Sequence, residues 1–218
     1  MARRFELIVF DWDGTLMDSA AMIVSSIQLA AVDMGLKSPA ESRARYVIGL
    51  GLEEALRHVL PELAEHRYGE LVDRYRHHYL TRDHQLTLFD GAEALVRELH
   101  GEGRMLAVAT GKSRIGLERA LEASGLGPLF HATRCADECH SKPHPQMLEE
   151  LMDEFGVLPE TTLMIGDTSH DLQMATNAGV AAVGVSYGAH DRDGLDAHGA
   201  LYCADTVEDL RQWLKSNA

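Results

Sequence analysis

The sequence predicts an α/β fold in which a parallel sheet carries an inserted block of helices between its first and second strands. A short apolar run at residues 7–10 indicates a buried strand near the N-terminus. About 65 residues then show helical periodicity only. From Gly91 onward, short apolar strands alternate with amphipathic helices. Helices placed between strands connect parallel neighbours through right-handed crossovers, so the alternation predicts a parallel sheet.

The inserted block is predicted to contain four helices. The first is capped by Asp18 or Ser19 and ends near Leu36, where an apolar stripe stops before a glycine. Ser38-Pro39-x-Glu41 matches a capping box with proline at the first helical position, which predicts a second helix. A short helix at 52–60 and a longer one from Pro61 to about residue 81 complete the block. We therefore expect a helical domain at residues 18–86 and an α/β core domain at 1–17 and 87–218.

The remainder of the chain supplies the rest of the sheet. Ser113, Ser169 and Thr206 are each expected to cap a helix. The predicted strands lie at 105–109, 130–134, 162–165, 181–185 and 200–203, and the predicted helices lie at 92–100, 113–125, 145–155, 171–178 and from 206 onward.

Composition excludes several classes of function. Apolar residues make up 45% of the chain and charged residues 25%, which is typical of a globular protein. A formal net charge of −14 disfavours nucleic acids and anionic membranes as partners. No segment is long enough to span a bilayer and no signal peptide is evident. Three cysteines without a secretory context indicate free thiols and a cytoplasmic location.

Two carboxylates follow the first strand directly. Asp11 and Asp13 stand where residues 7–10 end, and Gly14 permits a sharp turn behind them. Ligands of open α/β sheets bind at the carboxyl ends of strands, so one acid could attack an electrophile or hold a metal while the other moves a proton. A surface Asp-Gly turn is the alternative reading of this stretch alone.

Three later stretches also carry polar side chains at strand ends or loops. Thr110 and Gly111 follow a strand and offer a hydroxyl and a backbone N–H to a phosphate oxygen, although Thr-Gly is also an ordinary turn. Lys142 precedes a proline that keeps it out of a helix, so it could reach into a site as a point charge, although most loop lysines are simply solvated. Asp167 follows another apolar strand. Asp171 lies in the next helix's first turn, where it could equally be a capping residue.

These acids together predict a cation site. Several carboxylates cannot remain ionised in a small volume without positive charge, and Lys142 supplies only one. A hard divalent cation with oxygen ligands fits the remainder, and Mg²⁺ suits carboxylates, water and phosphate oxygens.

The four stretches, in their order along the chain, resemble the motifs of the haloacid dehalogenase (HAD) superfamily. Asp11-x-Asp13-Gly14-Thr15 is similar to the first motif, with Trp12 where phenylalanine is commoner, and the likeness is strongest to the phosphoglycolate-phosphatase-like branch. The resemblance covers essentially the whole chain. It implies a Rossmann-like three-layer sandwich with a parallel sheet and an inserted helical cap, the domain at residues 18–86.

The resemblance also implies a mechanism. Asp11 would be the nucleophile that forms an aspartyl-phosphate, and Asp13 would be the general acid and base. Mg²⁺ would be held by the Asp11 carboxylate, the Asp13 backbone carbonyl and Asp167, with Asp171 in a supporting position. The phosphoryl oxygens would be bound by Thr110, Gly111 and Lys142.

The cap is expected to choose the substrate. By resemblance, Arg43, Arg45 and the turn at Gly49 face the active site, although both arginines could equally lie on a solvated helix face. Five cap histidines are expected at the surface, because the adjacent pair among them would point about 100° apart on a helix. These are His58, His66, His77, His78 and His84.

The favoured function is a Mg²⁺-dependent phosphatase acting on a small phosphorylated metabolite, either phosphoglycolate or a sugar phosphate, as a monomer or homodimer. A phosphomutase on the same scaffold and a non-catalytic binding protein remain alternatives. Dehalogenation would not need Asp13, and phosphonate cleavage would need a cap lysine where only Lys37 is available. Cys135, Cys139, His140 and His144 do not match a standard zinc spacing.

Overall fold

The computed structural model describes residues 5–218 and confirms the α/β fold. Six parallel strands form one sheet in the order β3-β2-β1-β4-β5-β6. Their bounds are β1 Leu7–Phe10, β2 Met105–Thr110, β3 Ala132–Cys135, β4 Thr162–Gly166, β5 Ala181–Val185 and β6 Tyr202–Ala204.

The first strand is central because it pairs on both sides. Leu7 is in register with Met105 of β2 and with Thr162 of β4. All four residues of β1 are buried, as expected for a parallel strand covered on both faces. Alternate side chains enter separate cores, with Leu7 and Val9 on one face and Ile8 and Phe10 on the other. The sheet is therefore the middle layer of a three-layer sandwich.

Helices fill the outer layers and the insertion. They are α1 Ala20–Asp33, α2 Glu41–Tyr46, α3 Leu52–Val59, α4 Tyr68–Leu80, α5 Ala92–Gly101, α6 Arg114–Ser124, α7 Gln146–Phe155, α8 Ser169–Asn177, α9 Arg192–Asp196 and α10 Val207–Asn217. None of the helices within residues 5–218 is long and apolar enough to cross a bilayer.

Helices α1 to α4 lie between β1 and β2 and share a hydrophobic core of their own. Ile27, Leu56 and Leu71 are fully buried in it, and Ala189 from the loop after β5 packs against the same cluster. This separate core is consistent with an inserted cap, and the boundaries at residues 18 and 86 stay a prediction.

Several predicted helix starts are wrong. Helix α2 begins at Glu41 with Ala40 as its N-cap, so the proposed capping box does not form. Helix α4 begins at Tyr68 rather than Pro61, because residues 65–67 form a 3-10 turn and the Tyr68 hydroxyl donates to the Leu60 carbonyl at 2.8 Å. The short helix α9 was not predicted.

The N-cap of α8 is Thr168 rather than Ser169, because Thr168 and Asp171 form a reciprocal capping box. Ser19 stands at the N-cap of α1 without a capping bond, and its hydroxyl binds Asp13 instead.

Trp12 points away from the strand ends into the core. It is fully buried and packs edge-on against Phe130, with ring centroids 6.4 Å apart. Its departure from the commoner phenylalanine therefore adds core volume and leaves the neighbouring carboxylates unobstructed.

Candidate active site

The strand order brings the predicted residues to one edge of the sheet. Asp11 follows β1, Thr110 ends β2, and Asp167 follows β4, so all three leave the carboxyl ends of adjacent strands. Lys142 enters from the loop between β3 and α7. All four side chains are fully buried. A parallel sheet binds ligands at this edge, and β1 places Asp11 at its centre.

Lys142 bridges two acids. Its Nζ donates to Asp11 Oδ1 at 2.7 Å and to Asp171 Oδ1 at 2.6 Å. These charge-assisted bonds hold the Asp11 carboxylate by one oxygen only. The other oxygen, Oδ2, is buried and has no hydrogen-bond partner among the described residues.

Asp171 both caps α8 and anchors Lys142. Its Oδ2 accepts from the Thr168 backbone N–H at 3.1 Å and from the Thr168 hydroxyl at 2.7 Å. The capping and functional readings of Asp171 are thus compatible, because each oxygen serves one of them. Gly166 makes room for this arrangement, since a Cβ there would collide with the Asp171 side chain.

The Asp167 carboxylate is enclosed by the loop after β1 and the loop after β5. Its Oδ1 accepts from the Thr15 hydroxyl at 2.9 Å, and its Oδ2 accepts from the Ala189 N–H at 2.7 Å. A Cβ on Gly14, whose φ is +87°, or on Gly188 would overlap the Asp167 carboxylate. Only glycine lets these two loops close around the acid.

Burial and mutual repulsion perturb the acids. Desolvation by burial raises the pKa of Asp11 to about 7, although Lys142 opposes the shift. Burial, followed by the charges of Asp11 and Asp171, raises the pKa of Asp167 well above its usual range. Burial by itself lowers the pKa of Lys142, but the charges of Asp11 and Asp171 outweigh it and raise that pKa.

The acidic cluster fits a divalent cation. Oxygens of Asp11, Asp167 and Asp171 lie within 4.8 Å of one another, and residues 5–218 contain no other comparable group of potential ligands. If all three carboxylates are ionised, Lys142 cancels one of three negative charges and two remain. A hard divalent ion matches that residual charge, and the unpartnered Oδ2 of Asp11 offers it an oxygen ligand.

Asp13 faces a different set of partners. The Ser19 hydroxyl donates to its Oδ1 at 2.7 Å, and Lys112 Nζ lies 2.9 Å from both carboxylate oxygens. Lys112 also contacts the Tyr79 hydroxyl of the cap at 2.9 Å. Burial lowers the pKa of Lys112, but the charge of Asp13 outweighs that effect and the net shift is upward. The Asp13 side chain therefore lies outside the acidic trio and reaches the cap through Lys112.

Thr110 and Gly111 lie where the cap meets the core. Both line the large cavity described below, and the Thr110 hydroxyl accepts from the Lys112 N–H at 3.2 Å. A Cβ on Gly111 would sit 2.5 Å from the carbonyl oxygens of Gly49 and Leu50. The backbones of cap and core thus meet with no side chain between them.

The three cap residues that were predicted to face the active site lie in different surroundings. Gly49 lines the cavity beside the core loops. Arg43 is exposed and does not line the cavity. Arg45 pairs with Glu41 at 3.3 Å and donates to the Gly188 carbonyl at 3.4 Å, so it links cap to core rather than facing a ligand. The solvated-face interpretation fits Arg43 only.

Two histidines fasten the cap nearby. The Nε2 atoms of His170 and His190 lie 2.7 and 3.1 Å from the Tyr46 carbonyl oxygen, and the Tyr46 ring stacks on His190. The predicted cap histidines lie elsewhere, and His78 is partly buried against Asp33 at 2.7 Å.

A cavity of about 750 Å³ opens above the carboxylates between cap and core. Asp11 and Asp13 lie in its lining, with Tyr75 and Tyr79 from α4. Lys112 and Tyr79 were not predicted to belong to the site, and Ser19 was predicted only as a helix cap. Lys112 had one available signal, its position directly after Thr110-Gly111 at the end of a strand.

A parallel sheet with buried acids and a lysine at its carboxyl edge, below a helical insertion, is the arrangement of an α/β protein that binds its ligand at the strand ends. The chain belongs to the haloacid dehalogenase-like hydrolase family, whose sequence model matches residues 8–185. This match confirms the resemblance recognised in the motifs.

Several of the proteins similar to this chain are phosphatases or nucleotidases by name. A "probable phosphatase IndB" from Dickeya dadantii is 37% identical over 94% of this chain and 91% of its own length. A 5′-nucleotidase from Pseudomonas aeruginosa is 34% identical over 99% and 98%. The structure of a "predicted phosphoglycolate phosphatase" from Haemophilus somnus has a TM-score of 0.85 and 26% identity, covering 97% of this chain and 99% of that one. The protein is accordingly an enzyme of the phosphoric monoester hydrolase class.

Proposed function

We propose that the protein is a Mg²⁺-dependent phosphatase that hydrolyses a small phosphate monoester through an aspartyl-phosphate on Asp11. The observation that carries the proposal is the Asp11 carboxylate itself. It stands at the end of the central strand, fully buried, with one oxygen on Lys142 and the other without a partner. A carboxylate held in this way is oriented for attack and has lone pairs available.

In the first step, an Asp11 oxygen attacks phosphorus and the bond from phosphorus to the ester oxygen breaks. Asp13, two residues further on, gives a proton to the departing alcohol. Ser19 and Lys112 fix the orientation of Asp13, so its carboxyl group does not need to be ordered when the substrate arrives. Positioning of this kind is the main contribution a protein makes to phosphoryl transfer.

In the second step, Asp13 takes a proton from water as the water oxygen attacks phosphorus. The bond between phosphorus and Asp11 then breaks, which releases inorganic phosphate and restores the carboxylate. One residue can serve in both directions because the first step leaves Asp13 deprotonated.

The phosphoryl oxygens need donors at the same edge of the sheet. The Thr110 hydroxyl, the Gly111 N–H and Lys142 are the groups proposed for this role. Thr110 and Gly111 line the cavity with Asp11, and Lys142 already contacts Asp11. Preorganised donors of this type stabilise the charge that develops in the transition state.

Asp11, Asp167 and the Asp13 backbone carbonyl would hold Mg²⁺, with Asp171 supporting them through Lys142. The ion would supply positive charge against the phosphoryl oxygens and so reduce their repulsion of the attacking carboxylate. The buried trio, which would carry two uncompensated negative charges with all three acids ionised, supports a divalent ion at this place.

Phosphoglycolate and a sugar phosphate are the candidate substrates from the sequence. The similar proteins named above widen the range to nucleotides. A panel of these esters, assayed for phosphate release with Mg²⁺ and with EDTA, tests the proposal. We expect activity that requires Mg²⁺ and is lost in Asp11→Asn, a nearly isosteric change that removes the anionic nucleophile.

A direct test of the intermediate is acid quenching during turnover followed by peptide mass analysis. A phosphoryl adduct on the Asp11 peptide is expected in the unmodified enzyme and not in Asp11→Asn. Asp209→Asn is a matched control, because Asp209 lies at the start of α10, bonds to Tyr202 and lies outside the cavity lining. Full activity of Asp11→Asn would overturn the proposal.

A further inference from the structure

The cavity beyond the phosphate site is much larger than a two-carbon acid requires. Its volume of about 750 Å³ is in the range of pockets that enclose drug-sized ligands, roughly 300–1,000 Å³. The pocket therefore has room for a substantial leaving group above Asp11 and Asp13.

The walls of this space are mostly apolar. The cap contributes a set of aliphatic side chains and a pair of tyrosines whose ring centroids are 5.8 Å apart with planes inclined by 21°. The aliphatic members on the cap side are Ile23, Val47, Ile48, Leu50 and Leu52. Stacking covers one face of each tyrosine, and Lys112 Nζ lies over the Tyr79 ring at 4.8 Å from its centroid. The outer face of Tyr75 and the aliphatic side chains beside it form a surface suited to a flat, uncharged ring.

The mouth of the cavity is apolar on both sides. Leu80 of the cap is 42% exposed and Ile115 of the core is 72% exposed, and both belong to the cavity lining. Single exposed apolar residues are common. Here two of them border the same opening from different domains, which is the arrangement expected when a ligand covers them.

The cavity offers little to a second anion. Lys112 is occupied by Asp13 and Tyr79, and Arg119 pairs with Asp83 at 2.6 Å. Glu53 and Glu54 add negative charge to the lining. Arg76 is the remaining cation there, and it is solvent-exposed. Among residues 5–218, a carboxylate or second phosphate on the leaving group would thus find no buried free cation, and it would meet two glutamates.

The cavity lining also contains a polar group that a ligand could bind. Tyr75 is half-buried in the lining, and within residues 5–218 its hydroxyl makes no hydrogen bond. A hydroxyl or carbonyl on an otherwise apolar leaving group would satisfy it.

We propose that the physiological substrate is a phosphate monoester whose leaving alcohol carries a neutral, planar heterocycle, and that Tyr75, Leu80 and Ile115 bind that ring. Two sources share this chemistry, a nucleoside 5′-monophosphate and a phosphorylated pyridine alcohol. The inference rests on the proposed phosphatase activity. It disfavours phosphoglycolate, bisphosphates and pyrophosphate as main substrates.

The test compares kcat/KM across uridine and adenosine 5′-monophosphates, pyridoxal 5′-phosphate, phosphoglycolate and glucose 6-phosphate, all with Mg²⁺. A ring ester is expected to exceed phosphoglycolate by at least about tenfold, since even one methylene in an apolar pocket discriminates by 10-fold or more. The better of the two ring classes identifies the source.

The variants Leu80→Ser and Ile115→Ser locate the preference. Each is expected to raise KM for the ring ester by about 3- to 10-fold through lost apolar contact, and to reduce the preference over glucose 6-phosphate. Leu158→Ser is the matched control, because Leu158 is 66% exposed and lies outside the cavity. It should leave every kinetic constant unchanged.

The outcomes separate the two proposals. If no ester is hydrolysed by folded protein with Mg²⁺, the proposed function fails. If phosphoglycolate or glucose 6-phosphate is hydrolysed as well as the ring esters, the phosphatase stands and the ring site is refuted. If Leu80→Ser and Ile115→Ser both keep the ring preference of the unmodified enzyme, the assignment of these residues to the ring site is also refuted.

Discussion

Replacing Lys142 with methionine tests the centre of the proposed site. Methionine has nearly the same length and volume, so the change removes the charge without opening a large cavity. Two short bonds would be lost, to Asp11 at 2.7 Å and to Asp171 at 2.6 Å. Both acids are fully buried, so neither can regain the lost interaction from bulk water.

Removing one partner from a buried ion pair costs about 3–5 kcal/mol of unfolding free energy. In a domain of 150–250 residues this corresponds to a fall in Tm of roughly 6–20 °C. Proton uptake by Asp11, whose pKa burial already raises to about 7, should place the result toward the smaller value. Loss of a preorganised donor to the phosphoryl group should lower kcat by about 10² to 10³.

The assay combines thermal unfolding with steady-state kinetics at pH 7.5 in Mg²⁺. Lys215→Met is the control, because Lys215 is 44% exposed and its pair with Glu98 is a surface interaction of small effect. If Lys142→Met keeps kcat within threefold of the parent while Lys215→Met behaves the same, Lys142 has no role in catalysis and the site is wrongly assigned.

Three further changes probe the surroundings. Lys112→Met should lower kcat about tenfold or more, because Asp13 loses its cationic partner and proton transfer typically contributes a factor of about 10² to 10⁴ to the rate. Lys112→Arg should restore part of the loss. An unchanged kcat in Lys112→Met would contradict the positioning role of Lys112. The metal-free protein should lose stability as pH rises from 3.8 toward about 7, since folded Asp11 keeps a proton that the unfolded chain releases. Mg²⁺ should stabilise the folded protein more at pH 8 than at pH 5. Denaturant titrations with and without Mg²⁺ will measure both effects. Gly111→Ala should reduce kcat/KM, because the added methyl group would meet the facing cap carbonyls. Gly101→Ala is the control and should leave kcat/KM unchanged, because a methyl group there has open space. Equal kinetics in the two variants would show that the cap does not approach the core this closely in solution.

The sequence was sufficient for the sheet because buried parallel strands are continuous apolar runs ended by polar residues. The strand at 181–185 was predicted with the observed bounds, the first strand was predicted from residue 5 but begins at Leu7, and the strand at 162–165 was short by one residue. The strand ends then located Asp11 and Asp167, because their positions follow from where those strands stop. Thr110 followed in the same way, as the last residue of β2 rather than the first of a loop.

Contacts between distant segments could not be predicted. Lys112 binds Asp13 from 99 positions away and also donates to the hydroxyl of Tyr79 on a cap helix. No local sequence pattern predicts such contacts. Arg45 was expected either to face the site or to face solvent, yet it bridges to Gly188 because the loop after β5 comes near the cap.

Local capping was also underdetermined. Ser38, Pro39 and Glu41 have suitable identities, but the helix starts at Glu41 itself with Ala40 as its N-cap. Threonine and serine at 168 and 169 are nearly equivalent as N-caps. Thr168 is selected because Asp171 is then three residues further on and completes the reciprocal bond.

The central place of the first strand has a consequence for how the enzyme is made. Asp11 leaves the ribosome early, yet Lys142 lies 131 residues behind it and the Thr15–Asp167 bond spans 152. At about 5–20 residues per second, synthesis of that interval takes about 7–30 s. The apolar β1 lacks its neighbour β2 until residue 110 and its neighbour β4 until residue 166, and sheets with such distant pairings also fold slowly. An unpaired apolar strand can pair with other chains, so the nascent chain is exposed to aggregation until the second half of the sheet emerges.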